Sequence, residues 1–192
     1  MKWVLLLTSI TITSCAALQD NFLLYRYSKT CSDTTVVYSL PYEKGTSHWV
    51  AQGGYSFLSH HGNFAIDIKM KQGTKILAAR SGVVTYTKES NTVGGIGKKY
   101  LYRGNGITIR HSDGTFAHYW HLQYKGALVR EGDTVRQGQV IGLSGSTGYS
   151  AFPHLHFEVT RQGAKRREAM PVPFKTEKGA KFLQPLHWYK AV

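Results

Sequence analysis

Two histidines two residues apart, His154 and His156, stand in Phe152-Pro153-His154-Leu155-His156-Phe157-Glu158-Val159. Read as a β-strand, this stretch has two unlike faces. Leu155, Phe157 and Val159 make an apolar one; His154, His156 and Glu158 make the other. Two imidazoles pointing the same way suit joint action on one small object, such as a metal ion and the water bound to it. An earlier stretch, Ser59 to Ile68, offers a matching set. A glycine-containing loop carries His60 and His61 into a strand where Asp67 shares a face with Ala65 and Lys69, away from Phe64, Ile66 and Ile68. Catalytic zinc takes three protein ligands from His, Asp or Glu and keeps one position for water, whose pKa it lowers toward neutrality. One nearby imidazole then takes a proton and another stabilises an oxyanion. An early His and Asp, a His-x-His pair and an isolated strand histidine supply that set.

The elements that must position these residues read as short strands joined by turns. Val36 to Leu40 is a strand stopped by Pro41, and His48-Trp49-Val50 begins another, broken at Gln52-Gly53-Gly54. Ile76 to Ala79, Gly82 to Thr87, Tyr100 to Tyr102 and Ile107 to His111 follow, with residues 88–99 as a long mobile loop. Ser112-Asp113-Gly114-Thr115 is a hairpin turn into Phe116 to Leu122. In that returning strand alternation sets His118 with Trp120 and His121 with Tyr119, so a regular strand does not present both to one groove. Gln72-Gly73-Thr74-Lys75-Ile76 is weakly echoed by Gln137-Gly138-Gln139-Val140-Ile141. His48, His111 and His187 carry no motif and read as surface or packing residues. Leu183, Leu186, Trp188 and Tyr189 near the C-terminus are expected to pack back on the domain. With no long amphipathic segment, the chain reads as all-β.

The 192 residues fit one domain, and 24 Lys and Arg against 11 Asp and Glu give a net charge of +13. That balance attracts polyanions such as anionic wall polymers or lipid headgroups. No zinc-finger, homeodomain or RNA-recognition signature accompanies it, so no nucleic-acid partner is expected. Lys2, the apolar run Trp3 to Ile12 and the small residues Ser14-Cys15-Ala16-Ala17 read as a signal peptide over residues 1–17, too short for an ordinary membrane span. Ile12-Thr13-Ser14-Cys15 also resembles a bacterial lipobox. Cleavage before Cys15 makes a membrane-anchored lipoprotein; cleavage at Ala16-Ala17 makes a secreted protein. Cys31 is the one other cysteine, which excludes a disulfide framework. Oligomeric state is not legible.

His60-His61-Gly62, Ala65-Ile66-Asp67, Tyr119-Trp120-His121-Leu122, Gly145-Ser146-Thr147-Gly148 and His154 to Val159 occur in one order. Together with Glu131 to Gly142, they resemble the motifs of the lysostaphin-type (LytM-domain) zinc metallopeptidases. The resemblance covers about residues 45–160. It implies a Zn2+ cofactor held by His60, Asp67 and His156, with His61 adjacent to His60 as the other candidate. It implies catalytic roles for His121 and His154. It also implies a β-rich meander or barrel-like sandwich with a substrate groove across an antiparallel sheet, and an exported endopeptidase of the cell envelope that cuts cross-links or stems of peptidoglycan. The alternative is a non-catalytic peptidoglycan-binding regulator of another hydrolase. The expected organisation is a leader (1–17), a linker with an edge strand (18–44), the metallopeptidase domain (45–175) and a tail (176–192).

Overall fold

The computed structural model describes residues 36–53, 64–163 and 167–192, all within one compact unit, Asp33–Val192. The leader with Cys15, Cys31, and the segment carrying His60 and His61 lie outside the described residues. Among the described residues seventeen strands follow one another: β1 (Tyr38–Ser39), β2 (Ser47–Gln52), β3 (Ala65–Lys69), β4 (Lys75–Leu77), β5 (Gly82–Lys88), β6 (Gly94–Gly95), β7 (Gly106–Arg110), β8 (Phe116–Trp120), β9 (Leu122–Ala127), β10 (Thr134–Val135), β11 (Val140–Ser144), β12 (Gly148–Tyr149), β13 (His154–Gln162), β14 (Arg167–Met170), β15 (Phe174–Thr176), β16 (Gly179–Lys181) and β17 (Trp188–Lys190). Among the described residues the one helical element is a single 3₁₀ turn, Lys98–Tyr100, and no helix is long and apolar enough to cross a membrane. The fold is all-β, as the alternating patterns require.

Nine strands form the main sheet, in the order β10-β5-β7-β8-β13-β3-β2-β17, with β14 also paired to β13. Its centre is the His-x-His strand β13, antiparallel to β3 on one side and β8 on the other. Directly opposed residues in an antiparallel pair point to the same face, so the register sorts the sheet into two surfaces. Phe157 lies opposite Ile66 and Tyr119, and Leu155 opposite Ile68. These side chains are buried in the hydrophobic core, where Ile107 and Ile109 of β7 join them. Burying a side chain as large as Leu155 or Phe157 contributes about 2–3 kcal/mol. Ile76, Ile141 and Leu122, from the three-stranded sheet β4-β11-β9, belong to the same core. The opposite surface carries His154, His156 and Glu158, with Asp67 and Trp120 both opposite His156.

The predicted hairpin turn is present. His111 N–H donates to the Thr115 carbonyl over 2.8 Å, Gly114 takes φ 81°, and Asp113 Oδ1 accepts from Thr115 N–H and Oγ1–H. Arg80 pairs with Asp113, and these hydrogen bonds hold the Asp113 carboxyl down at about 2 against the opposing effect of burial. The two echoed turns also meet: β4 pairs with β11, Gly73 N–H donates to Ser144 O, and Gly138 N–H donates to Ala78 O.

Two expectations need correction. Tyr100–Tyr102 is no strand. Successive Tyr100→Gly97, Leu101→Lys98 and Arg103→Tyr100 hydrogen bonds wind it into turns. Nor is the segment after β5 a free loop. β6 pairs in parallel with β12, and a Cβ on Gly94 would lie 1.7 Å from the Ser146 carbonyl oxygen, so only glycine allows that approach. At the C-terminal end the expected return holds for Leu183 and Tyr189, which pack on the core, but not for Leu186 and Trp188, which stay largely exposed; β17 pairs with β2, and Tyr42 Oη–H donates to Tyr189 O over 2.8 Å.

Candidate active site

Asp67 sits mid-strand in β3 between Ile66 and Ile68, which commits its side chain to the face away from the core. The sequence alone favours a solvated carboxylate there, yet Asp67 is only 8% exposed. His156 Nδ1 lies 2.9 Å from its Oδ1, and His154 Nε2 lies 3.6 Å from the same oxygen, beyond hydrogen-bond range. His154 is 5% exposed, and its Nδ1–H donates to the Phe152 carbonyl over 2.8 Å. That bond occupies Nδ1 and turns His154 Nε2 to the side of Asp67.

His121 reaches the site by breaking the strand. Regular alternation would send it with Tyr119 into the core. It takes φ 66° instead, between β8 and β9, and swings back to the histidine face. Its ring centroid is 4.6 Å from that of His154 and 5.7 Å from that of His156. A left-handed residue with a Cβ costs about 1–2 kcal/mol, so the surroundings must hold it. They do: His121 Nδ1–H donates to Thr147 O over 2.7 Å. Thr147 Oγ1–H in turn donates to Leu122 O, Asn105 N–H donates to Thr147 Oγ1, and Leu122 N–H donates to Asn105 O. The buried Asn105 amide donates to the Asn91 and Gln123 carbonyls. Asn105 went unnoticed in the sequence because Gly104-Asn105-Gly106 reads as an ordinary turn. Burial above all, and then the charges of His154 and His156, push the His121 imidazole down to about 3 against the opposing effects of the Thr147 carbonyl and Asp67. His121 is therefore neutral at pH 7, with Nε2 free of its proton.

His118 lies on the same face but does other work. It is 7% exposed, and Thr108 and Thr160 hydroxyls bracket it at 3.0 Å from Nδ1 and 2.9 Å from Nε2. Burial, then the charges of Arg167 and His156, depress it to about 4. A histidine lowered in the folded state adds stability that is full above its unfolded value of about 6.5 and is lost as pH falls toward 4. Thermal melts from pH 7 to pH 4 are expected to show the wild type losing up to about 3 kcal/mol more than His118→Gln. Parallel pH dependences in the two proteins would remove His118 from this role. His48, His111 and His187 bond to the carbonyls of Lys69, Ser81 and Pro185 through Nδ1, as packing residues do.

Asp67, His121, His154 and His156 line one groove of about 1060 Å³. Trp120 and Tyr86 form a wall with ring centroids 5.8 Å apart, and Ile96, Leu101 and Tyr102 stand at the rim. Gly106 makes room for the wall, since a Cβ there would meet Trp120 at 2.3 Å. Among the described residues no group of three or more His, Cys, Asp or Glu is set to hold a metal ion. The Asp67–His156 pair nonetheless has the chemistry of two zinc donors. A carboxylate and an imidazole nitrogen share one proton, and a metal displaces that proton when it binds. His60, the third ligand that the resemblance implies, lies outside the described residues.

Residues 61–168 match the model of Peptidase family M23. An uncharacterized metalloprotease of Buchnera aphidicola is 44% identical over 94 residues, 49% of this chain and 22% of that protein. The glycyl-glycine endopeptidase ALE-1 of Staphylococcus capitis is 33% identical over 134 residues, 69% of this chain and 33% of its own. The chain thus spans no more than a third of the length of these curated relatives. Among solved structures, a variant of the catalytic domain of EnpA, a prophage-encoded M23 protein of Enterococcus faecalis, superposes with a TM-score of 0.52 at 25% identity. The match covers 67% of this chain and 92% of that one.

Proposed function

Since this chain belongs to peptidase family M23, we propose that it is a zinc-dependent endopeptidase that hydrolyses peptide cross-links or stem peptides of bacterial peptidoglycan. The observation that supports this most is the meeting of Asp67, His121, His154 and His156 in one groove, drawn from β3, a strand break and β13. Asp67 and His156 would hold the metal, with His60 as the third ligand. Bound there, zinc would supply a Lewis acid and a water acidic enough to ionise near neutral pH.

The chain's own groups divide the remaining work. His154 and His121 each give Nδ1–H to a loop carbonyl, which leaves Nε2 of each for proton transfer. One accepts the proton of the attacking water. A histidine held as low as His121 releases a proton readily, which suits delivery to the leaving amine. The other, when protonated, stabilises the oxyanion of the tetrahedral intermediate. The net charge of +13 would hold the enzyme to an anionic wall. Export through the leader, with or without a lipid on Cys15, would place it there.

A digest of purified sacculi by the mature protein, with and without a zinc chelator, tests the reading by mass spectrometry of the released fragments. New amino termini that vanish with chelator and return with zinc are expected. Sacculi that bind the protein and stay intact would instead mark a non-catalytic regulator.

A further inference from the structure

Two tryptophans share the groove-bearing face of the main sheet with the histidines. Trp188 of β17 is directly opposite Trp49 of β2, Trp49 is opposite Lys69 of β3, and Lys69 is opposite His154 of β13. One row therefore runs Trp188–Trp49–Lys69–His154 across four strands on one face. The neighbouring pair, Tyr189 and His48, turns to the other face, where Tyr189 packs on the core. Trp188 is 69% exposed. Trp49 is half-buried and lines the same groove as Asp67 and His154. Leu186 borders that end of the groove, 70% exposed and at φ 65°, a left-handed conformation that branched side chains disfavour. Its N–H is pinned to Val50 O at 2.8 Å. Trp49, Leu186 and Trp188 all fall outside residues 61–168, the span matched to the family.

Resting on the peptidoglycan reading above, we propose that Trp49 and Trp188 form a carbohydrate-stacking platform for the β-1,4-linked N-acetylhexosamine chain that carries the substrate peptide. An indole offers a broad flat apolar face with a polar N–H at its edge. A pyranose matches it, with C–H groups on the ring face and hydroxyls around the rim. An apolar peptide side chain is better served by an enclosed pocket than by an open pair of rings. Spacing agrees as well. Three strand spacings of about 4.8 Å put Trp188 roughly 14 Å from the row position of His154. About four extended residues cover the same distance. A short stem cut beside His154 and Asp67 would thus reach back to its sugar at the tryptophans.

The test titrates the metal-stripped full chain with the β-1,4-linked N-acetylglucosamine tetramer by calorimetry, beside Trp188→Ala and Trp188→Tyr. Because Trp188 is largely exposed, thermal melts of both variants should stay close to wild type. Binding should weaken on the order of 10-fold in Trp188→Ala and be mostly retained in Trp188→Tyr, which keeps a flat ring. Tetramer binding that is absent, or equal in wild type and Trp188→Ala, would overturn the platform. So would a sugar-free stem peptide that binds in a Trp188-dependent way while the tetramer does not. The sugar titration needs no catalysis, so it fails independently of the endopeptidase reading. Sacculi cut without tetramer binding count against the platform alone, and tetramer bound without cutting counts against the peptidase alone.

Discussion

His121→Ala is expected to lower fragment release from sacculi by about 10²–10⁴-fold, the contribution of a positioned acid or base, while zinc content stays at the wild-type level. His154→Ala should behave the same way. Both histidines are anchored through Nδ1 to a loop carbonyl, at 2.7 Å for His121 and 2.8 Å for His154, and their rings are 4.6 Å apart. Neither makes the close contact to Asp67 that His156 makes; His154 Nε2 is 3.6 Å from Oδ1, against 2.9 Å for His156 Nδ1. Removing His121 also removes one buried hydrogen bond and leaves an alanine in a left-handed conformation. Stability should therefore fall by only about 1 kcal/mol, too little to explain the loss of turnover. Paired measurements of turnover, zinc content and thermal midpoint separate these effects. Near-normal turnover in both variants would refute the assigned roles.

His156→Ala and Asp67→Asn are expected to lose both metal and activity, with zinc falling from stoichiometric to near zero after purification. Asp67→Asn keeps the shape and the hydrogen-bond acceptor beside His156 but gives up the charge that a divalent cation requires. Asp67→Ala is the harsher change. It strips the half-buried His156 Nδ1 of this acceptor, at a cost of about 1 kcal/mol, so the asparagine variant is the cleaner probe. Excess zinc should restore part of the activity of Asp67→Asn and none of that of His121→Ala. Stoichiometric zinc in purified His156→Ala would end its assignment as a ligand.

Much of this site was legible in the chain itself. Strand alternation is a local rule, so the split of β13 into Leu155, Phe157 and Val159 against His154, His156 and Glu158 followed from residue order, as did the outward direction of Asp67 between two isoleucines. The resemblance implied that Asp67 and His156 hold one metal, and the register of β3 against β13 sets the two residues directly opposite each other. The hairpin at Asp113-Gly114 was written in its turn residues.

Three things were decided only by tertiary structure. Alternation sends His121 to the core, and it reaches the groove because Thr147 and Asn105, distant in sequence, hold a disfavoured backbone angle that no local pattern announces. The segment after β5 acquires its shape from β12, since a two-residue strand has no stability without its partner. Finally, Trp188 enters the row of His154 through pairings that bring residues 49 and 188 side by side. Local periodicity says which way a side chain points from its own strand. Which strand lies next to it is set by burial of the shared apolar face, and that is a property of the whole chain.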